Sequence, residues 1–141
     1  MTRLAEVLRG LAARDGVQGT LLLSGDGLPI EHAGRAAEPE TVAALAATVA
    51  QYGAQLGEAG DRGALRTAVL DYEQGPLVLA RAGAADWLAI LAQPGADIGP
   101  LLYDLRQHAP ALAGLLGAAD ALGRAPRGRV GHPLLAAQHA R

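Results

Sequence analysis

The amino-acid sequence predicts an α+β fold in which helices pack on one five-stranded antiparallel sheet. Three observations support this fold class. Apolar residues recur at helical spacing in three segments, five other segments are short and apolar, and turn residues separate consecutive strands. The predicted order is helix, two strands, helix, three strands, helix. The 141 residues are enough for one compact domain with an aliphatic core.

The first helix and a β-hairpin are predicted in the first 34 residues. Leucine and valine at three- and four-residue spacing indicate a helix over 2–14 with Thr2 as its N-cap. Residues 17–24 predict the first strand. In the second strand, over 28–33, alternation is expected to separate two faces, Leu28, Ile30 and His32 against Pro29, Glu31 and Ala33. Asp26-Gly27 fits the positive φ of a tight hairpin turn.

The longest helical pattern covers residues 40–57 and is apolar on two faces. One face has large side chains and is expected to pack on the sheet: Val42, Leu45, Val49, Tyr52 and Leu56. The second has small residues: Ala43, Ala46, Ala47, Ala50, Gly53, Ala54 and Gly57. Because nothing else in a chain of this size obviously covers the second face, we expect it to bind a second copy of the helix. The alternative is that alanine serves here only as a good helix former.

The second half of the chain predicts a meander and a last helix. Strands over 64–73, 77–82 and 87–92 are separated by short turns, which indicates antiparallel neighbours. Asp97 is expected to cap a helix that extends to about Leu116 and that Pro110 kinks or splits. Residues 118–141 have no sustained periodic spacing of apolar residues, which predicts a flexible tail after a domain over residues 1–117.

The composition excludes several classes of function. Without cysteine there is no disulfide, thiolate metal site or cysteine nucleophile. Without lysine there is no Walker loop, and Ile30 replaces the third glycine of a dinucleotide-binding pattern. A net charge of -2 with dispersed acidic residues gives no electrostatic footprint for nucleic acid. No signal peptide or membrane span is recognisable, so a cytoplasmic location is expected.

The remaining polar residues do not form a recognisable active site. Ser24 has Asp26 nearby and His32 a strand away, but a serine before a turn is expected to bond to the backbone. The histidines do not pair at i, i+4 as helical zinc ligands do: His32, His108, His132 and His139. We therefore expect no catalytic residue, no cofactor and no metal, and a protein that is not an enzyme.

Several blocks together resemble the Roadblock family of dynein light-chain-like domains, and most closely its bacterial MglB-type members. They are GVQGTLLLSGDGLPIEHAG, the long small-residue helix, the three-strand meander and ADIGPLLYDLR, and they extend over about residues 2–117. The resemblance implies a Roadblock/profilin-like sandwich of order α-β-β-α-β-β-β-α. It also implies a homodimer joined through the long helix and the third strand, with these interface residues: Ala43, Ala47, Ala50, Ala54, Gly57, Arg66, Ala68, Leu70 and Tyr72.

The same resemblance implies a partner. Dimers of this family bind Ras-like small GTPases, and MglB-type members accelerate GTP hydrolysis by reshaping the switch regions of the GTPase. Our hypothesis is that a polar stripe on the long helix, Thr48, Gln51 and Gln55, binds the GTPase. Two other functions stay open, a scaffold without effect on nucleotide turnover and a small-molecule sensor of the PAS or GAF kind. Pairing with a paralogue instead of a second copy also stays open.

Overall fold

The computed structural model describes residues 3–35 and 38–121, with side chains described as far as residue 117. The predicted order of elements is confirmed: α1 (Arg3–Ala12), β1 (Val17–Ser24), β2 (Pro29–Gly34), α2 (Pro39–Ala59), β3 (Thr67–Tyr72), β4 (Gly75–Ala82), β5 (Asp86–Ala92) and α3 (Ile98–Ala121). The strands form one five-stranded sheet in the order β2-β1-β5-β4-β3. Every neighbouring pair is antiparallel, as predicted.

Helices cover both faces of the sheet. α1 and α3 pack on one face over a core of leucine, valine and isoleucine that includes Leu8, Leu22, Ile90 and Leu112. An ion pair between Arg14 and Asp104 joins the end of α1 to α3. On the other face, α2 packs over a smaller core that contains Trp87. The fold therefore has three layers, because one sheet with two apolar faces needs a helical cover on each.

The hairpin turn between β1 and β2 has four residues, Gly25 to Leu28. The N–H of Gly27 donates to the Ser24 carbonyl at 2.9 Å, and the N–H of Leu28 donates to Ser24 Oγ at 3.1 Å. Gly27 has φ +89°, which confirms the positive φ predicted for this turn. A Cβ at Gly27 would also approach the Ala44 Cα of α2 to 3.1 Å. The glycine thus satisfies the turn and the close approach of α2 together.

An irregularity in β2 overturns the alternation predicted for this strand. Leu22 pairs with Glu31 and Leu23 pairs with Pro29, so the register shifts and Ile30 is the extra residue. As a result Ile30 and Ala33, predicted on opposite faces, both pack against the core under α1 and α3.

α3 begins as predicted and ends later than predicted. Asp97 Oδ1 accepts a hydrogen bond from the N–H of Gly99 at 3.2 Å, which confirms the cap. The helix continues through Pro110 to Ala121, so it is not split, and its end lies beyond Leu116.

Thr2, His132, His139 and the tail from residue 122 lie outside the described residues. In the part of the chain described, no helix combines the length and apolarity needed to cross a membrane.

Candidate protein interaction surface

α2 packs on the sheet through its small residues. Ala43 is 0% exposed and Ala50 is 2% exposed, and Ala46 and Ala47 are buried beside them. Across the interface lie the larger side chains of the sheet: Leu21, Leu23, Leu79 and Trp87. The prediction that the large face of α2 packs on the sheet is therefore wrong for four of its five residues, and Val42 alone among them is half-buried against this core. Small helix side chains bring the helix close enough for the bulky side chains of the sheet to fill the space between them.

The large apolar face of α2 points away from the sheet. Leu45 is 62%, Tyr52 65% and Leu56 75% exposed, and Val49 follows at 37%. These side chains recur at three- and four-residue spacing, so they form one continuous stripe, which we call the outer face of α2. Contiguous exposed apolar side chains of this size mark protein interaction sites.

This orientation corrects the dimer interface expected from the resemblance. Ala43, Ala47 and Ala50 are already covered by the sheet of their own chain and are not available to a second copy. Ala54 and Gly57 are half-buried. A Cβ at Gly57 would lie 2.8 Å from the Gly63 carbonyl oxygen, so this glycine admits the segment before β3. That Ala54 and Gly57 take part in a dimer contact stays a prediction.

β3 lies at one edge of the sheet and pairs only with β4. The N–H of Arg81 donates to the Arg66 carbonyl at 2.9 Å. Because antiparallel pairs alternate, the main-chain groups of Ala68, Leu70 and Tyr72 face β4 as those of Arg66 do. Those of Thr67, Val69 and Asp71 face outward from the edge. The edge therefore offers a row of main-chain donors and acceptors beside the apolar side chain of Val69, which is 46% exposed.

The polar stripe of α2 is accessible. Thr48 and Gln55 are exposed and Gln51 is half-buried, and Thr48 Oγ1 donates to the Ala44 carbonyl at 3.0 Å. At 3.6 residues per turn these three residues share one flank of the helix. Gly53 and Gly57, which contact the segment before β3, lie on the opposite flank. The stripe is thus on the side of α2 away from β3, and its binding role stays a prediction.

The other polar residues singled out in the sequence are either bonded to the main chain or exposed. Ser24 is buried, and its hydroxyl oxygen accepts the N–H of Leu28. Asp26 and His32 are exposed. His108 Nδ1 lies 2.9 Å from the Asp104 carbonyl oxygen of its own helix. Within the residues described, no group of three or more histidine, aspartate or glutamate side chains is placed to hold a metal ion.

Comparisons with known proteins agree with this architecture. Residues 3–92 match the model of the Roadblock/LC7 domain. Among curated proteins, none matches the sequence. MglB of Myxococcus xanthus superposes with a TM-score of 0.77 at 14% identity, covering 84% of this chain and 98% of that chain. An MglB with tetrameric arrangement superposes with a TM-score of 0.76 at 24% identity, covering 83% and 90%. Both show a shared fold.

A Roadblock/LC7 domain from Streptomyces avermitilis superposes with a TM-score of 0.69 at 28% identity, covering 86% of this chain and 98% of that chain. The match to the family model extends over more than half of the chain, from α1 to the end of β5. The chain therefore belongs to the Roadblock/LC7 domain family.

Proposed function

We propose that this chain forms a dimer that binds and regulates a bacterial Ras-like small GTPase. The observation that carries the proposal is the outer face of α2, where Leu45, Tyr52 and Leu56 are each more than 60% exposed. An isolated chain would leave these side chains in water, together with the open edge of β3. A second copy supplies the same apolar stripe and the same edge, so a two-fold contact covers both.

The proposed contact joins α2 to α2 and β3 to β3. Antiparallel pairing of two β3 strands would bond the outward main-chain groups of Thr67, Val69 and Asp71 and make one continuous sheet. Of the residues first expected at the interface, this contact retains those on β3 and beside it: Arg66, Ala68, Leu70 and Tyr72. On α2 it replaces the buried alanines by the outer face. The tetrameric arrangement of one MglB supports self-association as a property of the fold.

The polar stripe Thr48, Gln51 and Gln55 is the proposed contact for the GTPase. It lies on the flank of α2 away from β3, so the proposed dimer leaves it uncovered. Its hydroxyl and amide groups both donate and accept hydrogen bonds, which suits a polar protein surface. The regulator acts through binding, without a catalytic residue of its own, and the nucleotide lies on the GTPase.

The test combines this protein with each Ras-like GTPase found in the same genome, taken one at a time and loaded with a GTP analogue. We expect the wild-type protein to bind one of them in isothermal titration calorimetry. Q51R/Q55R is expected to lose binding and keep the dimer mass in light scattering. The control is Q93R/Q107R, which adds the same charge at two exposed glutamines outside α2. Unchanged binding by Q51R/Q55R would contradict the site, and no binding by the wild type would contradict the function.

Single-turnover hydrolysis of GTP distinguishes an activator of the GTPase from a scaffold that binds it without changing its rate. A rate that rises with the amount of wild-type protein identifies an activator. Binding with an unchanged rate identifies a scaffold for the GTPase. Q51R/Q55R is the control in both cases, because it is expected to remove the contact and preserve the fold.

A further inference from the structure

Four arginines from different segments line two adjoining clefts at the start of β3. The first cleft has a volume of about 510 Å³ and lies between the β3–β4 pair and α3. The second, of about 700 Å³, lies between α2 and residues 62–67. Arg66, Thr67 and Arg106 line both clefts, so the two form one continuous groove. We call it the arginine groove, after Arg62, Arg66, Arg81 and Arg106.

The groove is opposite in charge to the chain as a whole. Every charged residue among the described residues that line it is an arginine. The ion pair of Arg14 with Asp104 does not involve any of the four. The full chain has a formal net charge of -2, so four positive charges here form a local field of the other sign. Such a field favours a ligand that carries several negative charges.

Arg81 is held by hydrogen bonds to the main chain, whereas the other three arginines have exposed side chains that can contact a ligand. Arg81 Nε donates to the Leu65 carbonyl at 3.1 Å, and one of its terminal nitrogens donates to the Ala84 carbonyl at 3.3 Å. Its guanidinium also lies 4.9 Å from the centre of the Trp87 ring. These contacts hold the segment before β3 and the β4–β5 turn in place as one wall of the groove. Arg62, Arg66 and Arg106 are exposed and can turn toward a ligand.

The rest of the lining is small and apolar. It consists mainly of side chains with one to three carbons: Ala80, Ala84, Ala109, Pro110 and Ala113. A peptide segment offers what this lining can accept, namely carboxylates for the guanidinium groups and small side chains for the apolar floor.

We propose that the arginine groove binds an acidic segment of a partner protein. The charges come from the α2–β3 connection, the end of β4 and α3, so they suit an extended ligand with several carboxylates more than one compact anion. No aromatic side chain lines either cleft to stack on a nucleobase, among the residues described. The proposal goes beyond the GTPase function. Of the four arginines, Arg66 also belongs to the proposed dimer contact, so Arg62 and Arg106 test the groove separately from the dimer.

Fluorescence anisotropy with a short labelled peptide that alternates Glu and Ala tests the proposal on the full chain. We expect binding that weakens as salt is added, and no binding of the same peptide with Gln in place of Glu. R62E/R106E is expected to weaken binding by roughly tenfold or more, because two charge-assisted contacts become repulsive. The control R3E/R35E makes the same change of charge at two exposed arginines outside the groove and is expected to bind as the wild type does.

Four outcomes would overturn the proposal. They are no binding of the Glu peptide, equal losses in R62E/R106E and R3E/R35E, binding of phosphatidylserine vesicles without binding of the peptide, and a change of mass in R62E/R106E. The last would mean that the groove holds the acidic end of β3, Asp71 and Glu73, of a second copy. R62Q/R106Q repeats the measurement with a milder change, and circular dichroism checks that each variant is folded.

Discussion

Alanine at four positions of α2 sets how closely this helix approaches the sheet. Ala43, Ala46, Ala47 and Ala50 are all buried against the sheet. Opposite them the sheet presents leucines and Trp87, so the volume of this interface comes almost entirely from the strands. A longer side chain at any of the four positions has to displace the helix or a strand residue, because protein interiors are close-packed.

At the residue scale we predict that A50L destabilises the protein by about 1–3 kcal/mol, the usual cost of overpacking a filled core. The matched control is A44L on the exposed side of the same helix, which is expected to change stability by about 0.5 kcal/mol or less. Urea unfolding at one fixed protein concentration measures both. Equal stability of the two variants would show that the small face of α2 does not pack on the sheet.

The two edge strands of the sheet differ in how well they can pair with another chain. β2 is protected by Pro29 and by the register shift near Leu22 and Leu23, both of which disrupt a regular edge. β3 keeps a regular register with β4 over all six of its residues, without a bulge. It also presents Val69 in its centre. β3 is therefore the edge at which we expect a second strand to pair.

At the element scale we predict that V69P gives a folded monomer. Proline there removes an N–H that points out of the sheet, whereas L70P removes one that faces β4. L70P is therefore expected to disrupt β3 itself. Light scattering reports the mass of each variant, and circular dichroism reports the fold. A V69P dimer as stable as the wild type would rule out pairing through β3.

The whole molecule consists of a matched family domain and a further helix that belongs to the same core. The family model ends at the end of β5, yet α3 contributes Leu101, Leu105, Leu112 and Leu116 to the core under α1. One face of the molecule is closed by α1 and α3 together. The other face is covered by α2 alone, which leaves its outer face exposed. This asymmetry places the proposed dimer contact on the α2 side.

At the scale of the assembly we predict that Y52E/L56E is monomeric, because two charges on the outer face oppose each other across a two-fold contact. The melting temperature of the wild type is expected to rise with protein concentration, and that of the variant to be constant. The control is T48E/Q55E on the polar stripe, which is expected to stay dimeric. Light scattering over a concentration series is the measurement, and a dimeric Y52E/L56E would remove the proposed contact.

The sequence by itself determined the order of the elements, the five antiparallel strands, the glycine turn of the hairpin and the Asp97 cap. These features depend on local spacing and on residues with few allowed conformations, and a short stretch of chain contains all the information they need. The motifs also sufficed to identify the family.

Only the tertiary structure decided which face of α2 meets the sheet, where β2 shifts register and which arginines lie together. Periodicity showed that α2 has two apolar faces, but the choice between them depends on the volume that Trp87 and the leucines of distant strands already occupy. Arg62 and Arg106 line one groove although β3, β4 and β5 separate them along the chain. Such neighbours are set by packing between segments, which no local pattern records.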